Sequence, residues 1–210
     1  MSYRGRRIKE GGNTIGNSES RNVMSHIQMP KFMLRQFENE KHELFYFDVE
    51  SGDILQGRAK SINVEEGYYS EIVEDILSKS IERPFSRVVH FLEQIDYNAD
   101  SFTVDQVIVE TTKLFLNALL ARSPATTKKT QESSIFLQFL DPQSQRDISA
   151  LTCIDEALKL GFFDDMDLTF TVNKTNIPFV LPLCGFYWYN NGKNLNLPIS
   201  PKLAITLADE

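Results

Sequence analysis

The chain has 210 residues, 41% hydrophobic and 24% charged, so it can bury a core without disulfides or metals. Its formal net charge of −7 excludes long-range attraction of the whole surface to nucleic acid, which would need a basic arm or a local patch. The longest aliphatic-rich stretch, residues 114–121, is too short to span a bilayer. The chain begins with polar and basic residues rather than a secretory signal, and it has only two cysteines. We therefore expect a soluble cytoplasmic protein.

Residues 1–22 are predicted to form a flexible basic arm, and residues 23–210 a single domain. The arm is rich in Gly, Asn, Ser and Arg, lacks hydrophobic periodicity, and carries five basic against two acidic side chains. A minor alternative function is nucleic-acid binding through this arm. Its candidate contacts are Arg4, Arg6, Arg7 and Lys9.

The first half of the body mixes a hairpin with helices. Residues 30–37 suit a short helix with proline in its first turn. Two short apolar stretches, 42–48 and 54–59, flank a turn and predict a β-hairpin. Ser70 can cap a helix whose apolar spacing continues for about six turns. Pro84 interrupts that pattern without changing its phase, which fits either one kinked helix or two collinear helices.

Start signals then predict three further helices. Thr103 and Gln106 form a capping-box pattern ahead of a largely apolar helix that runs to about Arg122. Ser123-Pro124 and Asp141-Pro142 each read as an N-cap followed by the first helical residue. The helix after Pro124 is expected to carry Ile135, Phe136, Phe139 and Leu140. The last helix is expected to bury Ile148, Leu151, Ala157 and Leu158, and to end at Gly161.

After Asp167 the periodicity changes from helical to alternating. Strands are predicted at residues 168–172, 177–181, 186–189 and 203–207, with a hairpin turn at Asn191-Gly192. Two of the four aromatic residues at 186–189 should be buried, because alternate residues of a strand face the core. The predicted fold class is α+β, a mainly helical bundle with an N-terminal β-hairpin and a small C-terminal antiparallel sheet.

Motifs that would identify an enzyme are missing from the sequence. No phosphate loop, dinucleotide fingerprint, nucleophile elbow or zinc-protease motif occurs, and the three histidines show no metal-ligand spacing. We accordingly predict no catalytic residue, no metal and no cofactor, and we lean against an enzyme.

Residues 26–37, HIQMPKFMLRQF, resemble the opening signature of a bacterial domain-of-unknown-function family, number 4238. Further motifs follow in the family's order up to about residue 207. The matching residues at which we expect a site are His26, Pro30, Leu34, Arg35, Phe37, Glu82, Arg122, Pro124, Pro178, Phe179, Pro198, Ser200 and Pro201. The resemblance implies helices packed with a small sheet, and it implies no activity.

Three polar residues of these motifs, His26, Arg35 and Arg122, leave two interpretations open. An arginine at a helix end often binds a carboxylate or backbone carbonyls and stabilises the fold. The alternative is an anion clamp in a hydrolase or nuclease-like site. Leu183 stands where the family pattern has an acid, so a mechanism that needs this acid is excluded.

The sequence therefore favours a non-catalytic protein-interaction module, in a bacterial or phage-linked defence setting. The resemblance implies a further helix after the last strand, and the chain ends before it. We expect the sheet at residues 168–207 to be left partly uncovered and to bind a protein partner or a second copy of the chain.

Overall fold

Four short strands and one short helix precede a helical region and a C-terminal sheet, in a computed structural model that describes residues 24–26, 29–62, 64–95, 103–190 and 193–208. The predicted arm at 1–22 and the turn at Asn191-Gly192 lie outside these residues. The helices are α1 (Lys31–Arg35), α2 (Glu71–Leu77), α3 (Arg83–Glu93), α4 (Gln106–Ala121), α5 (Pro124–Ser133) and α6 (Pro142–Leu160). The strands are β1 (Met24–His26), β2 (Leu44–Phe47), β3 (Ile54–Gly57), β4 (Val64–Glu66), β5 (Asp167–Val172), β6 (Tyr187–Tyr189), β7 (Asn194–Pro198) and β8 (Leu203–Ala208). The α+β prediction is confirmed.

The early hairpin is also confirmed. Strands β2 and β3 pair antiparallel, with Leu44 opposite Gly57 and Phe47 opposite Ile54. Strands β1 and β4 form a second two-stranded antiparallel sheet. The side chain of Leu44 is buried, whereas Phe47 and Ile54 are exposed, so the hairpin touches the core at its open end.

The long helical pattern forms one run from Glu71 to Glu93, with a π-helix at Ser78–Glu82 between α2 and α3. Ser70 caps its start, since its hydroxyl accepts from the Val73 N–H at 3.4 Å. Pro84 has no N–H and its ring crowds the carbonyl four residues earlier, which lies in the π-helix. The wider π turn is therefore how the helix continues through the proline.

The central helix α4 begins at a different cap from the predicted one. Asp105, rather than Thr103, is the N-cap, and its carboxylate accepts from the Ile108 N–H at 3.0 Å. Aspartate at this position also interacts favourably with the helix dipole. Because Asp105 and not Thr103 caps the helix, the capping-box prediction was wrong. Phe115 of this helix is buried and stacks on Phe85 of α3, with ring centroids 3.9 Å apart.

Ser123 and Asp141 cap α5 and α6 as predicted, and Gly161 ends α6 with φ +58°. The helix after Pro124 ends at Ser133, because Ser134 turns to an extended conformation. The apolar residues beyond it were wrongly placed in that helix, and Ile135, Phe136 and Phe139 are exposed. In α6 the buried face is rotated from the predicted one and consists of Ser149, Ala150, Cys153, Ile154 and Ala157, while Ile148 and Leu158 are exposed.

The C-terminal sheet has four antiparallel strands in the order β5-β8-β7-β6. Strand β8 is central and buried at five of its six positions. The strand predicted at 177–181 is wrong: Pro178 and Pro182 interrupt this segment, whose Phe179 N–H donates to the Pro201 carbonyl. β7 was not predicted as a strand. Of the aromatic run only Phe186 is buried, because β6 is an edge strand.

Candidate functional site

Helix α1 presents two cations on one outward face. Lys31 and Arg35 are four residues apart, and positions with this spacing are neighbours on a helix surface. Met33 and Leu34 are buried and fix the opposite face against the core. Arg35 lies in the last turn, where a positive charge interacts favourably with the helix dipole. Burial of the apolar face thus leaves both cations at the surface.

A second wall faces α1 and comes from the segment that follows β3. It contributes Arg58 and Lys60, which flank the buried Ala59 at the start of a 3₁₀ turn. Glu38 joins the two walls, because its Oε1 accepts from the Ala59 N–H at 3.0 Å. Only 12% of the Glu38 side chain is exposed, so this contact is shielded from water.

The loop after α1 holds His42 beside Glu38. The side-chain oxygen of Asn39 accepts from the N–H groups of Lys41 at 2.9 Å and Glu43 at 3.0 Å. This loop closes tightly, and His42 adopts φ +60°, a left-handed conformation in which histidine is enriched among non-glycine residues. Its Nδ1 lies 3.6 Å from Glu38 Oε2.

Together these elements line an open pocket of about 530 Å³, which we call the basic pocket. One lining residue is acidic, Glu38, and its Oε1 already accepts from the Ala59 N–H. The other lining residues are basic and consist of Lys31, Arg35, His42, Arg58 and Lys60. A cluster of one charge sign raises the local concentration of oppositely charged ligands. The basic pocket is therefore suited to an anion.

A neighbouring pocket of about 280 Å³, the mixed pocket, shares Lys31 and Arg35 with the basic pocket. Its remaining lining comes from α1 and from the helical run of α2, the π-helix and α3. These residues are Phe32, Glu74, Ser78, Glu82, Arg83 and Ser86. The two pockets therefore border the same face of α1.

A buried charge cluster lies behind the mixed pocket. Arg122, the C-cap residue of α4, is 3% exposed, and its Nη1 donates to Glu82 Oε1 at 2.8 Å. Its guanidinium also lies over the Tyr69 ring, 5.7 Å from the centroid. Burial by itself would lower the pKa of Arg122, but Glu82 and Tyr69 hold it above its ordinary value. Burial raises the pKa of Tyr69 to about 12, against an opposing effect of Arg122.

The family model described as "Protein of unknown function (DUF4238)" matches residues 28–210. The chain belongs to this family. No curated protein and no solved structure matches the chain.

Three of the family-motif residues meet in the structure. Glu82 binds Arg122 and lines the mixed pocket, which Arg35 also lines. The two arginines have different environments, since Arg122 is buried against Glu82 and Arg35 is exposed at both pockets. The structural interpretation therefore applies to Arg122, whereas the anion-clamp interpretation stays open for Arg35.

Two further family motifs meet beside the C-terminal sheet. The Phe179 N–H donates to the Pro201 carbonyl at 2.9 Å, and Ser200 Oγ accepts from the Leu203 N–H at 3.1 Å. Pro178 is exposed beside this contact. These residues form turns that lead into β8 and contribute no charge, and they do not reach either pocket.

The remaining motif residues support the fold where they can be described. Pro30 is the N-cap of α1, Leu34 is buried and Phe37 packs against the core. Pro124 is the first residue of α5, and Pro198 is buried at the end of β7. His26 lies in β1, and its side chain is outside the described residues.

Sequence reasoning missed most of the basic pocket. Lys31 could have been identified from the sequence, because it lies four residues before Arg35. Glu38, His42, Arg58 and Lys60 carry no such signal, because they come from separate elements that meet only through folding.

Two absences concern the part of the chain that the structure describes. No group of three or more His, Cys, Asp or Glu side chains there could hold a metal ion. Within the same residues, no helix has both the length and the apolar character that crossing a membrane requires.

Proposed function

We propose that this protein is a non-catalytic binding module whose ligand presents a phosphate or a similarly compact anion to the basic pocket. One observation supports the proposal above all. In a chain of net charge −7, four lysine and arginine side chains and His42 line one pocket, whose single acid accepts from the Ala59 N–H. Holding like charges together disfavours the empty pocket, and a bound anion removes that repulsion.

The chemistry of the lining favours phosphate-like anions. Arg35 and Arg58 offer planar forks of N–H donors that match two oxygens of one phosphate. Lys31 and Lys60 add compact charges from the same two walls. Arginine and lysine together are therefore able to surround an anion from both sides of the pocket.

Binding is favoured over hydrolysis by the state of Glu38. A general base must be free to reach the proton that it abstracts. Glu38 Oε1 accepts from the Ala59 N–H and the side chain is almost wholly buried, so this carboxylate serves to join the walls. A hydrolase or nuclease that uses the same cations remains the alternative, and turnover of a phosphate ester would establish it.

Calorimetric titration with inorganic phosphate tests the proposal. We expect saturable binding, and about a tenfold weaker affinity in Arg35→Gln and in Arg58→Gln, since each change removes one charged donor. Arg87→Gln is the matched control, because Arg87 is an exposed arginine of α3 that lines neither pocket.

Thermal unfolding gives an independent measurement. A ligand at ten times its Kd stabilises the folded state by about 1.4 kcal/mol. The melting temperature of the wild type and of Arg87→Gln should therefore rise with phosphate, and that of the double variant Arg35→Gln/Arg58→Gln should not. An equal rise in all three proteins, or no binding of any anion by the wild type, contradicts the proposal.

The C-terminal sheet supports a second candidate function, self-association through residues 168–207. Strand β6 ends the sheet and exposes about 40% of each of Tyr187, Trp188 and Tyr189. An edge strand with exposed aromatic side chains is suited to pair with another strand, and we propose β6 of a second copy. The cytoplasm of a bacterium is the proposed setting, where the free thiols of Cys153 and Cys184 stay reduced.

Light scattering over a concentration series tests this second candidate. We expect a dimer that Tyr187→Ser/Tyr189→Ser converts to a monomer. Phe136→Ser is the control, because Phe136 is 69% exposed and lies outside the sheet. A wild-type monomer at every concentration would rule the candidate out.

A further inference from the structure

The basic and mixed pockets share Lys31 and Arg35 and differ in the rest of their lining, and together we call them the groove. Lys31 and Arg35 line both pockets and therefore mark the middle of the groove. The far side of the basic pocket adds Arg58 and Lys60. A ligand that fills the whole groove must present negative charge to the basic pocket and to the two shared cations. It must also fit the different lining of the mixed pocket.

The mixed end is lined by hydrogen-bond acceptors and hydroxyl groups. Glu74 and Glu82 lie there with Arg83 and the two shared cations, and Ser78 and Ser86 add two hydroxyls. Ser86 Oγ donates to the Arg83 carbonyl, which leaves the hydroxyl oxygen able to accept. Carboxylates accept hydrogen bonds from hydroxyl and amino groups and repel a second phosphate.

Glu82 is held in place from behind. Arg122 donates to its Oε1 at 2.8 Å, while 23% of the Glu82 side chain remains exposed. Because the guanidinium is buried and packed on Tyr69, it restricts the carboxylate that lines the groove. Such support lowers the entropy that the carboxylate loses when a ligand binds.

We infer that the ligand is a sugar monophosphate ester, either free or as part of a nucleotide. This inference rests on the proposed anion-binding function and adds the orientation of the ligand. The phosphate lies among the basic side chains, and the sugar hydroxyls point to Glu74, Ser78 and Glu82. The mixed pocket, about 280 Å³, is several times the ~30 Å³ share of one water and admits a sugar ring.

Titration of the full chain with inorganic phosphate, ribose 5-phosphate and adenosine 5′-monophosphate tests the inference. We expect ribose 5-phosphate to bind at least about tenfold more tightly than phosphate, since the ester adds hydroxyl contacts. Glu74→Gln should remove most of this gain without weakening the affinity for phosphate, since it removes a negative charge from the groove. Glu71→Gln is the matched control, because Glu71 is an exposed acid of the same helix that lines neither pocket.

Each outcome of this experiment separates the inference from the proposed function. If phosphate binds and both esters bind no more tightly, the sugar inference fails and the anion site stands. If phosphate and both esters all fail to bind, the anion site fails as well. A further gain for the adenosine ester over ribose 5-phosphate supports the inference and identifies a nucleotide as the source. Equal affinity for the two esters supports it and identifies the free sugar phosphate.

An oligonucleotide provides the last arm of the test. Affinity that rises with oligonucleotide length, depends steeply on salt and is unaffected by Glu74→Gln would overturn the inference in favour of a nucleic-acid surface. Melting temperatures of Glu74→Gln and Glu71→Gln show whether either variant changes affinity through a loss of folding. Should Glu74→Gln unfold, Ser78→Ala provides the same comparison on a neutral side chain.

Discussion

Arg122 binds Glu82 and Arg35 lines a pocket with it, and the two arginines show two uses of the same side chain. Arg122 is enclosed by protein and binds Glu82 and Tyr69, because an ion removed from water must have its partners within the fold. Arg35 is exposed among like charges and lines both pockets. The buried arginine therefore stabilises the fold, and the exposed one has donors available for a ligand.

The largest expected effect is on the buried arginine. Arg122→Met should reduce the free energy of unfolding by about 3 kcal/mol, because it leaves the Glu82 carboxylate without its cation. Denaturant unfolding measures this loss. Lys79→Gln breaks an exposed ion pair of the same 2.8 Å length with Asp75 and should cost less than about 0.5 kcal/mol.

A double variant sharpens the interpretation of that loss. Arg122→Met/Glu82→Leu removes both charges and should recover part of the stability, since no unpaired charge remains at the buried site. If the double variant is less stable than Arg122→Met, the arginine acts mainly through packing on Tyr69 rather than through Glu82.

An intermediate effect is expected from Tyr69 at alkaline pH. Burial raises its pKa above the ordinary 10.0 to about 12, so the unfolded chain loses this proton at lower pH than the folded one. The resulting stability is complete below pH 10 and is lost as the pH rises to 12, by roughly 2 kcal/mol.

Unfolding curves between pH 9 and pH 12 measure this dependence. Tyr69→Phe should flatten the fall in stability, and Tyr187→Phe, at an exposed tyrosine, should leave it in place. Equal slopes in the wild type and in Tyr69→Phe would show that other groups cause the alkaline loss.

The smallest effect on stability is expected at the basic pocket. Arg35→Gln and Arg58→Gln should each change the free energy of unfolding by less than about 0.5 kcal/mol. At low salt the change should be stabilising, because one repelling charge is removed, and ~1 M salt should abolish it. A large loss of stability in either variant would place these arginines with Arg122 as structural residues.

The sequence predicted those parts of the fold that depend on neighbouring residues. Ser70, Ser123 and Asp141 were identified as helix caps, and Gly161 as a helix end, because a cap is satisfied within three or four residues. The prediction failed at Thr103, because Asp105 two residues later binds the Ile108 N–H and the helix starts at Gln106.

Longer-range contacts decided the remaining differences. Phe179 bonds to Pro201 instead of to a strand neighbour, so the segment at 177–181 is irregular despite its apolar residues. Burial along α6 is set by α4 and α5, which explains why Ala150 and Cys153 are buried and Ile148 is not. The periodicity of apolar residues predicts that a segment is helical, whereas the elements packed against the helix determine which of its faces is buried.

The candidate site divides in the same way. The sequence was sufficient to predict the family and the α+β class, and it named three polar residues of the candidate site, Arg35, Glu82 and Arg122. Folding buries Arg122 against Glu82, and it brings Arg58 and Lys60 to the pocket that Arg35 also lines. The reason is physical: charge is a property of each residue, whereas burial and proximity arise when separate elements pack together.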